Sequence, residues 1–426
     1  MPAATIPLDI SPLLIAISEA LDLISPALVN HHRQVARIAF QLGRSAGLSR
    51  QELTDLTLAG LIHDIGGLSL ASRLDVLQFD MATPEEHTLP GYLLLKKFPP
   101  LAPLARLVRF HHLPWDQGAG AGHAGEPVPR AAHLLHLADR VAILIRPQEE
   151  ILGQPGRILA QIEERSGTTF LPEAVAAFRE VAASEAFWFD LVSSRPCEGI
   201  MTGLPTDVTD ARQENLLDLA RMFRQLIDFR SRFTATHSSG VAAVAHWLAG
   251  KAGFSPPVCQ RMEIAGLLHD IGKFVVPQEI LEKTRPLSRE DFYAIRKHPY
   301  FSQRILSQVP GFEEISQWAA LHHERLDGTG YPFRLAGDRL PPGARLMAVA
   351  DTFTALTEMR PYRAAMSGRG TLRAMESMSK GGKLDADLYG LVHDHLEEVD
   401  FLREEAQQAS FEEHRIFLAE WAALRG

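Results

Sequence analysis

Apolar residues recur at helical spacing through most of the chain. The clearest stripe, at positions i, i+3, i+4 and i+7, comprises Ile264, Leu267, Leu268 and Ile271. A matching stripe in the first half comprises Leu58, Leu61, Ile62 and Ile65. Such stripes indicate helices with one face in a core. Because alternating β-branched patterns are scarce, the sequence predicts an all-α fold.

One segment interrupts the helical pattern with turn-forming residues. The stretch SSRPCEGIMTGLPTD, between Phe189 and Asp210, gathers Pro, Gly, Ser and Thr. With 426 residues the chain can form two domains, each with its own core. We predict a first domain over 1–195 and a second over 205–426, the latter with a C-terminal helical extension.

Histidine and aspartate residues occur in the same order in both halves. The first His precedes a His-Asp pair by 32 residues in each half, and the third His precedes a His-His pair by 24. The second-half set is His237, His269, Asp270, His298, His322, His323 and Asp351. The first-half set is His31, His63, Asp64, His87, His111, His112 and Asp139. A lone histidine is more often a core residue, but two sets in register predict a duplicated metal-binding domain.

Seven imidazole and carboxylate groups are too many for one ion. Nitrogen ligands mixed with carboxylates suit Fe or Mn, with Ni, Zn or Mg as alternatives. Asp270 can bridge two ions through its two oxygens. His237 and Asp351 would complete one shell, and the other would contain His298, His322 and His323. Two divalent ions activate water and neutralise phosphate oxygens, which fits hydrolysis of a phosphodiester.

Three basic residues lie near the second-half ligands in the sequence. Lys273 lies about one helical turn beyond His269 and can reach a non-bridging phosphate oxygen. Arg360 and Arg363 are three residues apart and offer bidentate contacts to a second phosphate. Solvated surface charge is the alternative for this pair, but its position just after Asp351 favours a ligand role.

The overall composition restricts the partners. A net charge of −9 argues against a DNA-binding surface, although a small anion can still bind a local cluster of cations. No run approaches the roughly 18 apolar residues that span a bilayer, and no basic residue precedes the apolar stretch Leu13–Ile24. We therefore expect a cytoplasmic protein without membrane contact. Cys197 and Cys259 follow no spacing motif and are expected to be reduced thiols.

Two longer motifs make the second half recognisable. HDIGK, which ends at Lys273, and HHERLDGTGYP, from His322 to Pro332, closely resemble the HD-GYP family of cyclic-dinucleotide phosphodiesterases. The resemblance continues to Arg363 and is strong over 210–380, while the first half resembles the broader HD superfamily. It implies hydrolysis of cyclic di-GMP to pGpG or GMP, or of 3′3′-cyclic GMP-AMP. It also implies that the Gly-Tyr-Pro loop borders the site and can contact a signalling protein.

Several positions of the second half need separate interpretation. Tyr331 can stack on a guanine or pack under its loop, whose Gly328 allows a turn with positive φ. Family members with a third metal have a Glu where this chain has Phe233, so we expect two metals. A carboxylate is common in the family at the position of Thr354. Its replacement predicts slower turnover or an altered substrate preference.

The first half keeps the ligands but loses the groups that would hold an anion. Gly67 stands in place of the lysine, and Glu149 in place of the second arginine. After His112 the chain runs LPWDQGAGAGHAGEP, without a Gly-Tyr-Pro motif. We predict a second metal site in an inactive or regulatory domain. Three further histidines are interpreted as loop or helix-surface residues: His123, His133 and His136.

Two other functions remain open. The chain can be a catalytically weak effector that binds a cyclic dinucleotide or a partner protein, as Thr354 suggests. It can also be a phosphohydrolase of nucleotides or of guanosine tetraphosphate, which the Gly-Tyr-Pro motif disfavours. A homodimer is a further expectation for the assembly.

Overall fold

The structure is a computed structural model. It describes residues 8–9, 11–22, 30–67, 78–81, 83–194, 196–197, 199–200, 210–211, 213–229, 236–359 and 364–425. Regular structure there is almost entirely helical, so the all-α prediction is confirmed. Two short antiparallel strand pairs accompany the helices: β1 (Leu8–Asp9) with β4 (Asp210–Ala211), and β2 (Gly122–His123) with β3 (Glu126–Pro127). Within these residues no helix has the length and apolar character needed to cross a membrane.

The chain divides into two units, 1–212 with 420–426 and 213–419. Both cysteines are buried and free. The helices described in the first unit are α1 (Ser11–Asp22), α2 (His31–Ser45), α3 (Arg50–Ile62), α4 (Glu85–Lys96), α5 (Ala102–Phe110), α6 (Arg130–Leu144), α7 (Pro155–Glu164), α8 (Pro172–Ala182) and α9 (Glu185–Val192). Short 3-10 turns lie at Pro99–Leu101, Asp116–Ala121 and Ile151–Gly153.

The second unit has its His and Asp set on or beside helices in the same order as the first unit, together with additional helices. Its described helices are α10 (Gln213–Phe229), α11 (His237–Lys251), α12 (Pro256–Leu268), α13 (Gln278–Leu281), α14 (Arg289–Ile295), α15 (His298–Leu306), α16 (Glu313–Leu321), α17 (Pro342–Thr357), α18 (Gly368–Lys380), α19 (Ala386–Asp394) and α20 (Leu396–Arg425), the last of which ends in the first unit. Short 3-10 turns lie at Ile271–Val275 and Gly337–Arg339.

Glycine brings the central helices of each unit close together. A Cβ on Gly60 of α3 would lie 2.7 Å from the Cα of Ala36 in α2. A Cβ on Gly266 of α12 would lie 2.5 Å from the Cα of Ala242 in α11. Such backbone approach leaves no room for a side chain. The predicted stripes, which flank these glycines, are buried in both units.

The glycine after each His-Asp pair has a similar role. The helix already ends at Ile62 or Leu268, before the pair, so the glycine does not stop it. A Cβ on Gly66 would lie 2.0 Å from the His87 carbonyl oxygen, and a Cβ on Gly272 would lie 1.9 Å from that of His298. The glycine therefore allows the His-Asp turn to lie against the helix that carries the third histidine.

Candidate metal centre

The seven predicted ligands of the second unit come together in one cluster, and all of them except His323 are buried. Most of them occupy helix ends: His237 and His298 begin α11 and α15, and His269 and His322 directly follow α12 and α16. Asp351 lies within α17. Two groups of ligand atoms are close enough to share an ion: His237, His269 and Asp270, and His298, His322 and His323.

Asp270 lies between these two groups. Its Oδ2 is 3.3 Å from His269 Nε2, and its Oδ1 is 3.2 Å from His298 Nε2. One carboxylate oxygen thus faces each group, the arrangement that a bridging ligand requires. Asp351 also reaches both groups, with Oδ1 3.1 Å from His237 Nε2 and Oδ2 3.6 Å from His323 Nδ1.

Backbone carbonyls orient most of the imidazoles. The Nδ1 atoms of three histidines lie beside carbonyl oxygens three residues earlier: His269 at 2.7 Å from Gly266, His298 at 2.7 Å from Ile295 and His322 at 2.5 Å from Ala319. Carbonyls near helix ends lack an intrahelical donor and can accept these bonds. Because Nδ1 donates, Nε2 keeps a lone pair that points into the cluster.

Facing lone pairs fit a metal ion. The Nε2 atoms of His298 and His322 are 3.2 Å apart, although both Nδ1 atoms face carbonyls. Two such lone pairs repel each other unless a cation lies between them. Burial lowers the pKa of His298 to about 3 and that of His322 to about 4, so both rings are neutral near pH 7. Neutral imidazoles are the form that coordinates metals.

His237 is held differently, by a carboxylate. Its Nδ1 lies 2.8 Å from Glu358 Oε2, and Gln407 of α20 donates a hydrogen bond to the other oxygen of Glu358. A carboxylate behind a ligating imidazole fixes its tautomer and increases its basicity. The sequence interpretation did not include Glu358, because its separation from His237 by 121 residues gives no local signal.

Lys273 contacts the central carboxylate. Its Nζ lies 2.5 Å from Asp270 Oδ2, and its side chain is largely buried. Burial works against ionisation of Asp270, but His269 and Lys273 hold its pKa well below the usual range. The lysine therefore lies in the cluster, and its contact with a phosphate remains a prediction.

The Gly-Tyr-Pro loop borders the same cluster. The ring centroids of Tyr331 and His323 are 4.9 Å apart. The Arg296 guanidinium lies 4.6 Å from the centroid of the Tyr331 ring. Gly328 has a φ of +75°, which confirms the expected turn. Gly330 meets a different need, because a Cβ there would lie 2.5 Å from Glu324 Cα.

A buried carboxylate holds the end of this loop. Glu324 accepts hydrogen bonds from three successive backbone amides, those of Phe333 at 2.6 Å, Arg334 at 3.0 Å and Leu335 at 3.1 Å. Its side chain is buried. Backbone donors aimed at one carboxylate fix the loop without a secondary-structure element. The sequence interpretation did not include Glu324, although it directly follows the His-His pair.

The first unit assembles its seven predicted ligands as well. Their ligand atoms form two groups that share Asp64. One group adds His31 and His63, and the other adds His87, His111 and His112. The His63 Nδ1 atom lies 3.0 Å from the Gly60 carbonyl oxygen, and the His111 Nδ1 atom lies 2.7 Å from that of Val108. Burial lowers the pKa of His63, but Asp64 and Asp139 outweigh it and raise that pKa to about 10. Two carboxylates in this cluster thus favour a neighbouring positive charge.

Two features of the first unit were not predicted from the sequence. Arg140 is buried and contacts Asp139, with Nη2 2.5 Å from Oδ2. Interpreting His133 and His136 as surface residues was wrong, since both are buried, while His123 is exposed as expected. His133 and His136 lie on α6, which is buried on most of its sides. The rings of His136 and His112 are 5.6 Å apart.

Some predicted positions lie outside the described residues. They include Arg360, Arg363 and Phe233. In the first unit Arg146 forms an exposed ion pair with Glu149 at 2.7 Å. Thr354 is fully buried, and its hydroxyl oxygen has no hydrogen-bond partner among the described residues.

Comparisons with known proteins agree with this duplication. Two family models, each an HD domain, match residues 28–144 and 221–388. A 3′3′-cGAMP-specific phosphodiesterase 1 of Vibrio cholerae is 31% identical over 386 residues, covering 88% of this chain and 89% of the relative. A cyclic di-GMP phosphodiesterase of Pseudomonas aeruginosa is also 31% identical, over 52% of each chain.

A solved structure shares the fold over nearly the whole length. It is a crystal structure of a cyclic GMP-AMP specific phosphodiesterase of V. cholerae, with a TM-score of 0.59 and 22% identity. The match covers 95% of this chain and 97% of that one. At this identity the likeness establishes the arrangement of helices and nothing further.

Proposed function

The chain belongs to the HD-GYP family of cyclic-dinucleotide phosphodiesterases, and from this premise we propose that its second unit hydrolyses a cyclic dinucleotide. The observation that carries the proposal is the position of Asp270. Its two oxygens face two separate groups of imidazoles, as a bridging ligand of two ions would. Lys273 adds a cation at the same carboxylate.

The ligands fit two divalent ions. One would be held by His237, His269, Asp270 and Asp351, and the other by Asp270, His298, His322 and His323. Iron or manganese suits these borderline nitrogen and hard oxygen ligands best, with Ni, Zn or Mg as alternatives. Such ions, when bound, polarise phosphate oxygens and make water nucleophilic near neutral pH.

The protein groups around the ions would hold the substrate. Lys273 is placed to turn from Asp270 to a non-bridging phosphate oxygen, where it would stabilise developing charge. Tyr331 is only half buried beside His323, and its ring would stack on a purine of the substrate. Arg360 and Arg363 remain proposed ligands of a second phosphate. Burial of His269 and Asp270 would keep water from screening these contacts.

We favour 3′3′-cyclic GMP-AMP over cyclic di-GMP as the substrate. The relative with that specificity in its name matches 88% of this chain, including both units. The cyclic di-GMP phosphodiesterase of P. aeruginosa matches about half of it. Two metals are expected to serve either substrate, since both contain the same phosphodiester linkages.

The first unit is proposed to be non-catalytic. It has Gly67 in place of the lysine, and its Arg146 pairs with Glu149 on the surface. Without a cation to hold the phosphate, metal alone would leave the transition state poorly stabilised. A regulatory contact through the Gly-Tyr-Pro loop and a homodimer also remain proposals, and the exposed Phe333 supports a partner surface on that loop.

A non-hydrolytic effector is the second candidate, favoured by Thr354 in place of a carboxylate. One experiment distinguishes the two functions. Full-length protein, loaded in turn with Mn²⁺ and Fe²⁺, is incubated with each cyclic dinucleotide, and the products are separated by chromatography. Linear dinucleotide in the wild type and none in Asp270→Ala supports the enzyme. Binding of the intact ligand by calorimetry, without any product under either metal, would establish the effector instead.

A further inference from the structure

We propose that the first unit contains a solvent-closed metal centre that stabilises its fold and takes no part in hydrolysis. The ligands would be the seven His and Asp residues already described there. The proposal concerns a structural use of metal, so it does not depend on whether the second unit cleaves a cyclic dinucleotide.

Buried polar atoms without hydrogen bonds point to this metal. Among the described residues, both oxygens of Asp64 are buried and lack a hydrogen-bond partner, and so does Oδ1 of Asp139. The same holds for the Nε2 atoms of His31, His63 and His112. Orphaned atoms of this kind are rare in folded proteins and each needs an explanation. Metal bound in the cluster would supply partners to these atoms.

The spacing around Asp64 fits ligands of common ions. Its carboxylate oxygens lie 3.3 Å from His63 Nε2 and 3.4 Å from His87 Nε2. Ligand atoms that each lie about 2.1 Å from one ion are separated by roughly 3.0–3.4 Å at ordinary coordination angles. The distances are therefore those of atoms facing a shared ion, not of hydrogen bonds to each other.

The charges of the first unit also call for a cation. Asp64 and Asp139 bring two negative charges into a buried site, and Arg140 contacts the second of these carboxylates. In the second unit Lys273 neutralises Asp270, but its counterpart here is Gly67. Asp64 lies beside the imidazoles of His63 and His87, and neutral imidazoles leave a buried carboxylate uncompensated unless a cation binds. Because the lysine has been lost, a bound metal matters more to the fold here than in the second unit.

The centre is closed where the second one is open. The His112 side chain is 5% exposed, compared with 28% for His323 at the same place in the repeat. Arg140 covers this side and donates hydrogen bonds to the backbone carbonyls of Gln78 and Phe79. The His136 ring makes an edge contact with the His112 ring, and the Phe170 ring makes an edge contact with the His136 ring. Structural metal sites are closed in this way, whereas catalytic sites keep a position for substrate.

The two variants Asp64→Asn and Asp270→Asn test the proposal with opposite expectations. If Asp64 binds metal, Asp64→Asn should lose metal by mass spectrometry and its Tm should fall by about 10 °C or more, the scale of losing a structural metal. If no metal binds, Asp64→Asn should leave the metal content of the protein unchanged. An unchanged or higher Tm with unchanged metal content would overturn the proposal.

Brief treatment of wild-type protein with EDTA gives a test that does not depend on the folding of Asp64→Asn. The open second centre should release its metal first, so that hydrolysis ceases while metal remains on the chain. Asp270→Asn should retain this slowly released metal and its Tm. Complete loss of metal in a single fast phase would contradict a closed centre in the first unit.

Discussion

The two His-Asp clusters have the same ligands but different surroundings. In the second unit Lys273 contacts the central carboxylate, Tyr331 borders His323, and the His323 side chain is partly exposed. In the first unit, Arg140 and His136 enclose the cluster. Duplication thus preserved the candidate metal ligands in both copies, while the lysine and the Gly-Tyr-Pro loop that we propose to hold the substrate are present in one. Ligand sets alone do not identify a catalytic site.

Removing ligands from each unit should break this comparison most clearly. His269→Ala with Asp270→Ala should eliminate hydrolysis, because no bridging ligand remains between the two ions. His63→Ala with Asp64→Ala should leave most hydrolysis intact in whatever fraction of the protein stays folded. Product formation per folded molecule, from a chromatographic assay paired with a thermal melt, checks both. A well-folded but inactive first-unit variant would make that unit the catalyst or an obligatory activator.

Lys273 sharpens the comparison at the level of the anion. Lys273→Ala should lower kcat by roughly two to three orders of magnitude, the effect of losing one charge-stabilising donor. Metal content should stay at the wild-type level, since the lysine is not a ligand. Lys251→Ala on α11 is a matched control, because Lys251 pairs with Glu398 away from the cluster at 3.0 Å. Loss of metal in Lys273→Ala would assign the lysine to the integrity of the site.

Glu358 tests whether the carboxylate behind His237 tunes the second centre. Glu358→Ala should weaken Mn²⁺ binding by about 10- to 100-fold, the usual effect of losing a carboxylate partner of a ligating histidine. Glu358→Gln keeps an acceptor oxygen and should recover much of that affinity. Titration with Mn²⁺, followed by electron paramagnetic resonance, measures both, with exposed Glu397→Ala as the control. Equal affinities in all four proteins would show that Glu358 only packs beside His237.

The sequence predicted which His and Asp side chains cluster far better than it predicted the residues around them. The ligand set is readable because fixed spacings repeat and because the family motifs mark Asp270, Lys273 and Tyr331. Glu358 is not readable, since only the fold brings α17 and the start of α11 together. The burial of His136 was missed for a related reason: helix periodicity assigns one core face, but α6 packs on several sides. Contacts made by tertiary packing leave no pattern in neighbouring residues.

The Gly-Tyr-Pro loop gives the smallest expected effect and distinguishes stacking from packing. The first unit has no equivalent loop, so Tyr331 should contribute to substrate binding in the second unit alone. Tyr331→Ala should raise KM by roughly tenfold, within the range for losing one base-stacking ring. Tyr331→Phe keeps the ring and should leave KM near the wild-type value. Steady-state kinetics with saturating Mn²⁺ separate KM from kcat. A fall in kcat with unchanged KM would mean that Tyr331 supports His323 through its ring contact at 4.9 Å and does not bind a base.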